Sequence, residues 1–156
     1  MSGQIDSRLT ELGITVPQAA APVANYVGWV RTGNLVVISG QLPLKDGKVT
    51  TTGLLGRDVS VEDAAVAARQ SGINIIAQLR AACGGDLDKV VRIVRLGGFV
   101  ACTPDFTDHP KVINGASDLM VEVFGDAGRH ARAAVGCPSL PLNAAVEVDA
   151  LVEIRD

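Results

Sequence analysis

Apolar and polar residues alternate with a period of two in the last run of the chain, residues 145–154. One side of this run carries Val146, Val148, Ala150, Val152 and Ile154. The other side carries Ala145, Glu147, Asp149, Leu151 and Glu153. Because successive side chains of a β-strand point to opposite faces of a sheet, the pattern predicts a strand with one face on the core and one mixed face.

Two longer segments show the periodicity of an amphipathic helix instead. The first begins with a capping pattern, Ser60 followed by Asp63, and ends at the glycine pair 84–85. Its apolar stripe consists of Ile75, Ile76, Leu79 and Cys83. The second begins near Pro110, a residue that a first helical turn tolerates, and ends at Gly125. Its apolar face consists of Val112, Ile113, Leu119, Met120 and Val123.

Two β-rich segments complete the predicted sheet. The run "YVGWVRTGNLVVISG" predicts a hairpin around Thr32-Gly33-Asn34, because these residues can adopt the positive φ of tight hairpin turns. The β-branched run "KVVRIVRLGGFVAC" predicts a strand. Its Gly97-Gly98 pair indicates either a bulge or a close backbone approach.

The N-terminal segment has a pattern of its own. Ile5, Leu9 and Leu12 have helical spacing and precede Gly13, which predicts a short helix followed by an Ala/Pro-rich linker to Pro22. We interpret this helix as a surface appendage. The chain as a whole, residues 1–156, is expected to form a single domain, with residues 1–22 as its N-terminal extension.

The order hairpin, helix, strand, helix, strand, strand predicts an α+β fold, with a single mixed β-sheet and two helices packed on one face. The same alternation applied to "RAAVGC" places Ala133, Val135 and Cys137 toward the helices. It places Arg132 and Ala134 on the uncovered face together with Glu147. Because that face mixes Leu151 with charges, we expect other subunits of an oligomer to cover it.

The composition narrows the class of function. Hydrophobic residues make up 47% of the chain and aromatic residues only 3%, which describes an aliphatic core rather than a base-stacking surface. Lys and Arg number 14 against 17 Asp and Glu, so the basic field that nucleic-acid binding needs is missing. Three widely spaced cysteines, no signal-like leader and no long apolar run predict a cytoplasmic protein without a membrane span.

Several segments resemble one known family. The motifs "ISGQLPL", "KVINGASDLM", "ARAAV", "LP" and "VEVDAL" are similar to those of the RidA (YjgF) family of imine/enamine deaminases, also catalogued as L-PSP endoribonucleases. The resemblance covers about residues 23–155. It implies a chorismate mutase-like fold and a homotrimer with clefts between subunits. The segment "CTPDFTDHPKVINGASDL" is longer than in compact members, so the chain resembles a longer branch.

The resemblance also implies an activity and candidate site residues. The activity is hydrolysis of small 2-imino or 2-enamino acids, such as 2-aminoacrylate, to 2-keto acids and ammonia, without a metal or a bound cofactor. Arg132 matches the arginine that clamps the substrate carboxylate, and Glu147 matches the glutamate that holds the attacking water. Further matching positions in the cleft are Tyr26, Ser39, Gly40 and Asn114. Many members carry a cysteine where this chain has Ala134, so no thiol contribution is expected there.

These residue types suit that chemistry. A guanidinium fork binds a planar carboxylate through two parallel charge-assisted hydrogen bonds, which a lysine cannot reproduce. A carboxylate within hydrogen-bond reach of a water assists its addition to the C=N carbon, and such help is worth about 10²–10⁴-fold in rate. Because imines already hydrolyse quickly, orientation and one base suffice without a covalent nucleophile.

The residues leave other interpretations open. If the last two strands pair as a hairpin, Arg132 lies opposite Glu147 or Asp149 as an ordinary cross-strand ion pair. The same clefts suit a non-catalytic module that binds a small carboxylate. The older family label suggests a ribonuclease, against which the net charge of −3 argues. His109 and His130 are interpreted as a helix-start and a surface-loop residue, since the histidines and cysteines lack the spacing of metal ligands.

Overall fold

The computed structural model describes residues 3–22 and 24–156. Met1 and Ser2, which begin the predicted extension, and Val23, which begins the family-like segment, lie outside the described residues. Within the described ranges, no helix combines the length and the apolar character that crossing a bilayer requires.

One five-stranded sheet forms the centre of the fold. Its strands are β1 (Trp29–Thr32), β2 (Leu35–Gln41), β5 (Val90–Ala101), β6 (Ala131–Cys137) and β7 (Val146–Ile154). A separate small hairpin consists of β3 (Leu44–Lys45) and β4 (Lys48–Val49). The helices are α1 (Gln4–Glu11), α2 (Val61–Ala82) and α3 (His109–Phe124).

The strand order is β1-β2-β7-β5-β6, and neighbouring strands are antiparallel except β5 and β6, which run parallel. The helices α2 and α3 pack on each other and against one face of this sheet. This architecture confirms the predicted α+β class with a single mixed main sheet. The two closing strands are not neighbours, because β7 lies between β2 and β5 while β6 lies at the edge beside β5.

The two hairpins differ in how much the local sequence reveals. The first is confirmed: Trp29 pairs with Ile38, and Gly33 turns the chain with a φ of 59°. The β3–β4 hairpin lies between the first hairpin and the helix that begins after Ser60, in a segment where the sequence patterns predict no strand. Asp46 and Gly47 form its turn with φ values of 54° and 78°, as a tight hairpin requires. Its strands have two residues each, which is too short for alternation to show.

The helix α2 begins and ends at its predicted signals. The Ser60 hydroxyl accepts a hydrogen bond from the backbone N–H of Asp63 at 3.1 Å, so the predicted cap is confirmed. After Cys83, Gly84 and Gly85 adopt left-handed φ values of 63° and 97° and stop the helix. The predicted stripe is buried in the core and consists of Ile75, Ile76, Leu79 and Cys83.

The helix α3 sits unusually close to β5. It contains Pro110 in its first turn and ends at Gly125, as predicted. Its Ile113 lies directly on Gly98, where a Cβ atom would come within 2.6 Å of the Ile113 Cγ1 atom. The glycine pair of β5 therefore marks a close approach rather than a bulge, and the register shifts of β5 lie nearer its start.

The N-terminal helix is anchored to the rest of the fold. The Asp88 carboxylate accepts hydrogen bonds from the backbone N–H groups of Gln4 and Ile5, both at 2.9 Å, and so caps α1. Leu9 is 2% exposed and belongs to the hydrophobic core. The interpretation of α1 as a surface appendage is therefore wrong.

The central strand β7 has the predicted sidedness. Its residues buried against the helices are Val146, Val148, Ala150, Val152 and Ile154. Its residues on the opposite, open face of the sheet are partly exposed and consist of Glu147, Asp149, Leu151 and Glu153. Strict alternation of burial along Val146–Ile154 confirms the prediction for these residues. The placement of Ala145 on the mixed side is wrong, because Ala145 precedes the strand and is buried in the core.

The predicted orientation of β6 is wrong. Arg132 donates hydrogen bonds to groups of α3, and Ala134 packs against the core, so both face the helices. Val135 is 47% exposed on the open face. The β6 sequence has little contrast in hydrophobicity, and Gly136 must be small because a side chain there would meet the His109 ring. The valine and cysteine of β6 were therefore misleading as markers of the core side.

We expect Gly98→Ala to lower the free energy of unfolding by about 1–3 kcal/mol, because the new methyl group overlaps Ile113 in a packed core. Urea denaturation checks this value. The matched control repeats the substitution in an Ile113→Ala background, where both γ-carbons of Ile113 are removed and the cost should be smaller. Equal costs in the two backgrounds would contradict the explanation by close approach.

Candidate active site

The guanidinium of Arg132 is held against α3. Its Nη1 donates a hydrogen bond to Ser117 Oγ at 3.0 Å, and its Nη2 donates to the Pro110 carbonyl at 3.3 Å. Asn114 is exposed on α3, four residues after Pro110 and three before Ser117, so it shares their face of the helix. We call Asn114, Ser117 and Arg132 the arginine half-site.

Within residues 3–22 and 24–156, no carboxylate neutralises the charge of Arg132. Among the residues that the structure describes, no ion pair joins Arg132 to a carboxylate. Its strand pairs with β5, so Arg132 lies beside Leu96 and not opposite Glu147 or Asp149. The alternative of a cross-strand ion pair is therefore wrong. The hydrogen bonds to Ser117 and Pro110 occupy two of the five N–H donors of the guanidinium.

Glu147 lies on the open face of β7, against the backbone of β2. The pairing of β2 with β7 shifts register between Ile38 and Gln41, which places a bulge at Ser39 and Gly40. A Cβ atom at Gly40 would lie 2.9 Å from the Glu147 carboxyl carbon. Only a glycine therefore allows the carboxyl group to rest on this bulge.

The bulge also holds the segment before β1. The Ser39 hydroxyl donates to the Val27 carbonyl at 2.7 Å, and its backbone N–H donates to the Gly28 carbonyl at 2.9 Å. These bonds fix the chain beside Tyr26, whose side chain is 53% exposed. We call Tyr26, Ser39, Gly40 and Glu147 the glutamate half-site.

The carboxylates of the open face are destabilised in their charged forms. Partial burial raises the pKa of Glu147, and the charge of neighbouring Asp149 raises it further. Burial also raises the pKa of Asp149, while the Arg95 guanidinium, 3.8 Å away, and the Gly97 N–H act in the opposite direction. Glu147 therefore holds its proton more tightly than an ordinary glutamate does.

The two half-sites face away from each other within one chain. Arg132 and Glu147 point to opposite faces of the sheet, so the prediction that they share one face is wrong. Their strands are also separated by β5, which at the usual strand spacing puts them about 10 Å apart within the sheet. A small substrate cannot touch both residues of the same chain.

An apolar cavity of about 580 Å³ lies at the start of α3 and the end of β6, and none of the predicted site residues lines it. Its lining includes Gly136, on the same face of β6 as Arg132, and His109, which precedes the Pro110 carbonyl that Arg132 binds. The Cys102 thiol lies 3.4 Å from His109 Nε2 in this wall. The remaining lining residues are Leu54, Arg57, Thr103, Pro104, Phe106, Cys137 and Pro138.

A larger cavity of about 710 Å³ lies elsewhere, between the N-terminal linker, the β3–β4 hairpin and α2. Its wall includes Asn74, whose amide nitrogen donates to the carbonyls of Leu42 and Leu44 at 3.0 and 2.9 Å. These bonds attach the β3–β4 segment to α2. Because none of the predicted site residues lines this cavity, we interpret it as the seam under the extension rather than as the active site.

Two residues beside Arg132, Ser117 and His130, form contacts that the sequence patterns do not reveal. Ser117 lies in the middle of a helix, where its hydroxyl gives no sign of a tertiary partner. His130 was interpreted as a surface-loop residue, yet it is partly buried and hydrogen-bonded through both ring nitrogens. The signal was its position two residues before Arg132, which puts both side chains on the same side of the chain in extended backbone.

Comparisons with known proteins agree with this architecture. Residues 6–154 match the model of the YjgF/chorismate mutase-like family, whose description also carries an endoribonuclease label. The protein TCP17 of Trypanosoma cruzi is 49% identical over 156 residues, covering 99% of this chain and 97% of that protein. The crystal structure of Atu1372 from Agrobacterium tumefaciens, of unknown function, has a TM-score of 0.91 and 54% identity, covering 97% of this chain and 92% of that one.

A more distant relative carries a named activity. A 2-iminobutanoate/2-iminopropanoate deaminase of Dermatophagoides farinae is 30% identical over 142 residues, covering 91% of this chain and 95% of that protein. The match to the family model extends through all five strands of the main sheet and both long helices. The resemblance seen in the sequence is thus confirmed at the level of family and fold: the chain belongs to the YjgF/chorismate mutase-like family.

Proposed function

We propose that this protein hydrolyses small 2-imino or 2-enamino acids to 2-keto acids and ammonia. In this proposal, the arginine half-site of one copy and the glutamate half-site of another form each active site. The observation that carries the proposal is an arginine held in place by α3 without a carboxylate partner in the described part of its chain. The similarity to a 2-iminobutanoate/2-iminopropanoate deaminase supports the choice of substrate.

Arg132 would bind the substrate carboxylate. Two of its N–H groups are used by Ser117 and Pro110, and the remaining donors are available to an anion. A guanidinium presents paired donors that match the two oxygens of a carboxylate. The anchored side chain loses little further entropy when it binds substrate, because its orientation is already set.

Glu147 would hold the attacking water. The water adds to the carbon of the protonated C=N bond and gives one proton to the Glu147 carboxylate, which leaves a carbinolamine. Glu147 then passes that proton to the amino nitrogen. The C–N bond breaks as the hydroxyl oxygen forms the C=O bond, ammonia leaves, and the hydroxyl proton goes to solvent. The raised pKa of Glu147 makes it a better proton acceptor than an ordinary glutamate once it is ionised. The exposed ring of Tyr26 and the bulge at Ser39 and Gly40 would form the wall around this water.

Assembly into an oligomer, a trimer as in the family resemblance, would bring the half-sites together. The open face of the sheet carries apolar side chains that remain about half exposed in the single chain: Val30, Val37 and Val135. Covering them in a subunit interface is favourable by roughly 25 cal/mol per Å² of apolar area removed from water. Glu147 shares this face, so the same interface would bring it a neighbouring chain's arginine.

Two other functions use the same family fold. A non-catalytic module would bind a small carboxylate at Arg132 without turnover, and ligand-induced stabilisation without turnover of any imine would favour it. A ribonuclease is disfavoured by the net charge of −3 and by the paired carboxylates of Glu147 and Asp149, which repel phosphates. RNA cleavage that persists in pure protein and disappears in Glu147→Gln would revive it.

We expect Arg132→Ala to lower kcat/KM for an imine generated in situ by an amino-acid oxidase by about 100-fold, because charge-assisted hydrogen bonds to the carboxylate are lost. Arg132→Lys should recover only a small part, since an ammonium lacks the planar fork. The matched control is Arg129→Ala, which removes an exposed arginine that forms an ion pair with Asp126 and should leave the rate unchanged. An unchanged rate in Arg132→Ala would end the proposal.

We expect mixed oligomers to recover activity that each parent variant lacks. Arg132→Ala and Glu147→Gln remove different half-sites, so a co-refolded mixture in equal amounts should contain both intact halves in about a quarter of its sites. Activity near that fraction of wild type would be the positive result. Mixing without refolding, which leaves the parent oligomers intact, is the control. A mixture as inactive as its parents would show that the two residues do not meet between copies.

We expect the rate profile to have an acid limb, because ionised Glu147 is the active form, and burial and the charge of Asp149 raise the pKa of Glu147. Asp149→Asn should move this limb to lower pH, since removing a neighbouring negative charge makes ionisation of Glu147 easier. Rates without enzyme are subtracted at each pH. An acid limb that stays in place or rises in Asp149→Asn would contradict the assignment of Glu147.

A further inference from the structure

A continuous chain of hydrogen bonds runs from the backbone to the guanidinium of Arg132. His130 Nδ1 lies 2.6 Å from the Gly128 carbonyl, His130 Nε2 lies 2.8 Å from Ser117 Oγ, and Arg132 Nη1 donates to that same Oγ at 3.0 Å. We propose that His130 and Ser117 are positioning residues that fix Arg132 for carboxylate binding. This inference rests on the proposed function, in which Arg132 is the substrate clamp.

The direction of each bond in this chain follows from its ends. A carbonyl oxygen only accepts, so the Nδ1 atom of His130 must carry a hydrogen and donate to Gly128. In the neutral imidazole, Nε2 is then bare and accepts the hydroxyl hydrogen of Ser117. The lone pairs of Ser117 Oγ are therefore the groups that face Arg132, which can only donate.

The bond to His130 fixes the direction of the Ser117 hydroxyl, so that Ser117 Oγ acts as the acceptor for Arg132. A serine in a helix can turn its hydroxyl to the carbonyl four residues earlier, here that of Ile113, or point its hydrogen in other directions. Bonding to His130 removes this freedom and keeps a lone pair available to Arg132. Without the imidazole, the Ser117–Arg132 bond competes with these other rotamers, and the guanidinium regains conformational freedom that substrate binding must then remove.

The carbonyl that starts the chain is itself well fixed. Gly128 is buried in the turn after α3, and a Cβ atom at this position would collide with the Met120 carbonyl. The turn therefore rests directly on α3, the helix that also carries Ser117. Since both ends of the chain of bonds rest on α3, a movement of the helix carries the carbonyl, the imidazole and the guanidinium together.

The first test separates binding from the chemical step. We expect Ser117→Ala to raise KM for the imine, and the Kd for 2-ketobutyrate measured by calorimetry, by about 5- to 10-fold, the worth of one typical net hydrogen bond. The value of kcat at saturation should change less than twofold, because Glu147 is untouched. Ser117→Thr keeps the hydroxyl and should restore both constants. A fall in kcat with KM and Kd unchanged would overturn the positioning role.

The second test asks whether His130 acts through Ser117. His130→Phe removes both ring nitrogens and should raise Kd almost as much as Ser117→Ala does. His130→Gln places an amide oxygen near the Nε2 position and should bind more tightly than His130→Phe. In a Ser117→Ala background, His130→Phe should cause no further loss of affinity, because the link to Arg132 is already absent. Losses that add in the double variant would overturn the inference.

A spectroscopic readout keeps this inference distinct from the proposed function. In 15N-histidine-labelled wild-type protein at neutral pH, long-range proton–nitrogen correlation spectra should show His130 as the tautomer with hydrogen on Nδ1. Hydrogen on Nε2 would overturn the chain of bonds even in an active enzyme. If wild type shows the expected tautomer yet neither binds 2-ketobutyrate nor accelerates imine hydrolysis, the proposed function fails, and with it the role of the chain in substrate binding.

Discussion

The alternation of side chains along β7 is the constraint on which the rest of the structure depends. β7 is the middle strand of the sheet, between β2 and β5. Its apolar side therefore packs against the helices, and its other side faces outward. Burial of Val146 and Val148 therefore fixes Glu147 between them on the open face. A one-residue shift of register would bury the carboxyl and expose the core, so the position of Glu147 is as strongly determined as the fold.

Sequence reasoning succeeded where the periodic signal was strong. The alternation of β7, the capped helix after Ser60 and the glycine stop at Gly125 each had a local physical cause, and each element formed at its predicted place. It failed in β6, because alanine and glycine provide little contrast between faces. The orientation of Arg132 depends instead on polar partners supplied by α3, which no pattern within β6 contains.

The candidate site divides in the same way. The family resemblance implies that Arg132 and Glu147 are site residues. In the structure, one chain holds them on opposite faces of the sheet. The partners of Arg132 come from positions 15 and 22 residues away, and the role of Ser117 depends on hydrogen-bond direction rather than on residue class. The spacing of His130 and Arg132 places both side chains on one side of the chain, but only tertiary packing brings Ser117 of α3 between them.

The partial burial of the Glu147 carboxyl affects which side chains at this position are compatible with a stable fold. Because the folded chain disfavours the ionised form, an uncharged side chain of similar shape at this position would fold at least as well at neutral pH. Selection removes substitutions that take a protein below the stability it needs. The ionised carboxyl of Glu147 does not contribute to that stability. The stability of the fold therefore does not account for an acidic residue at this position of β7.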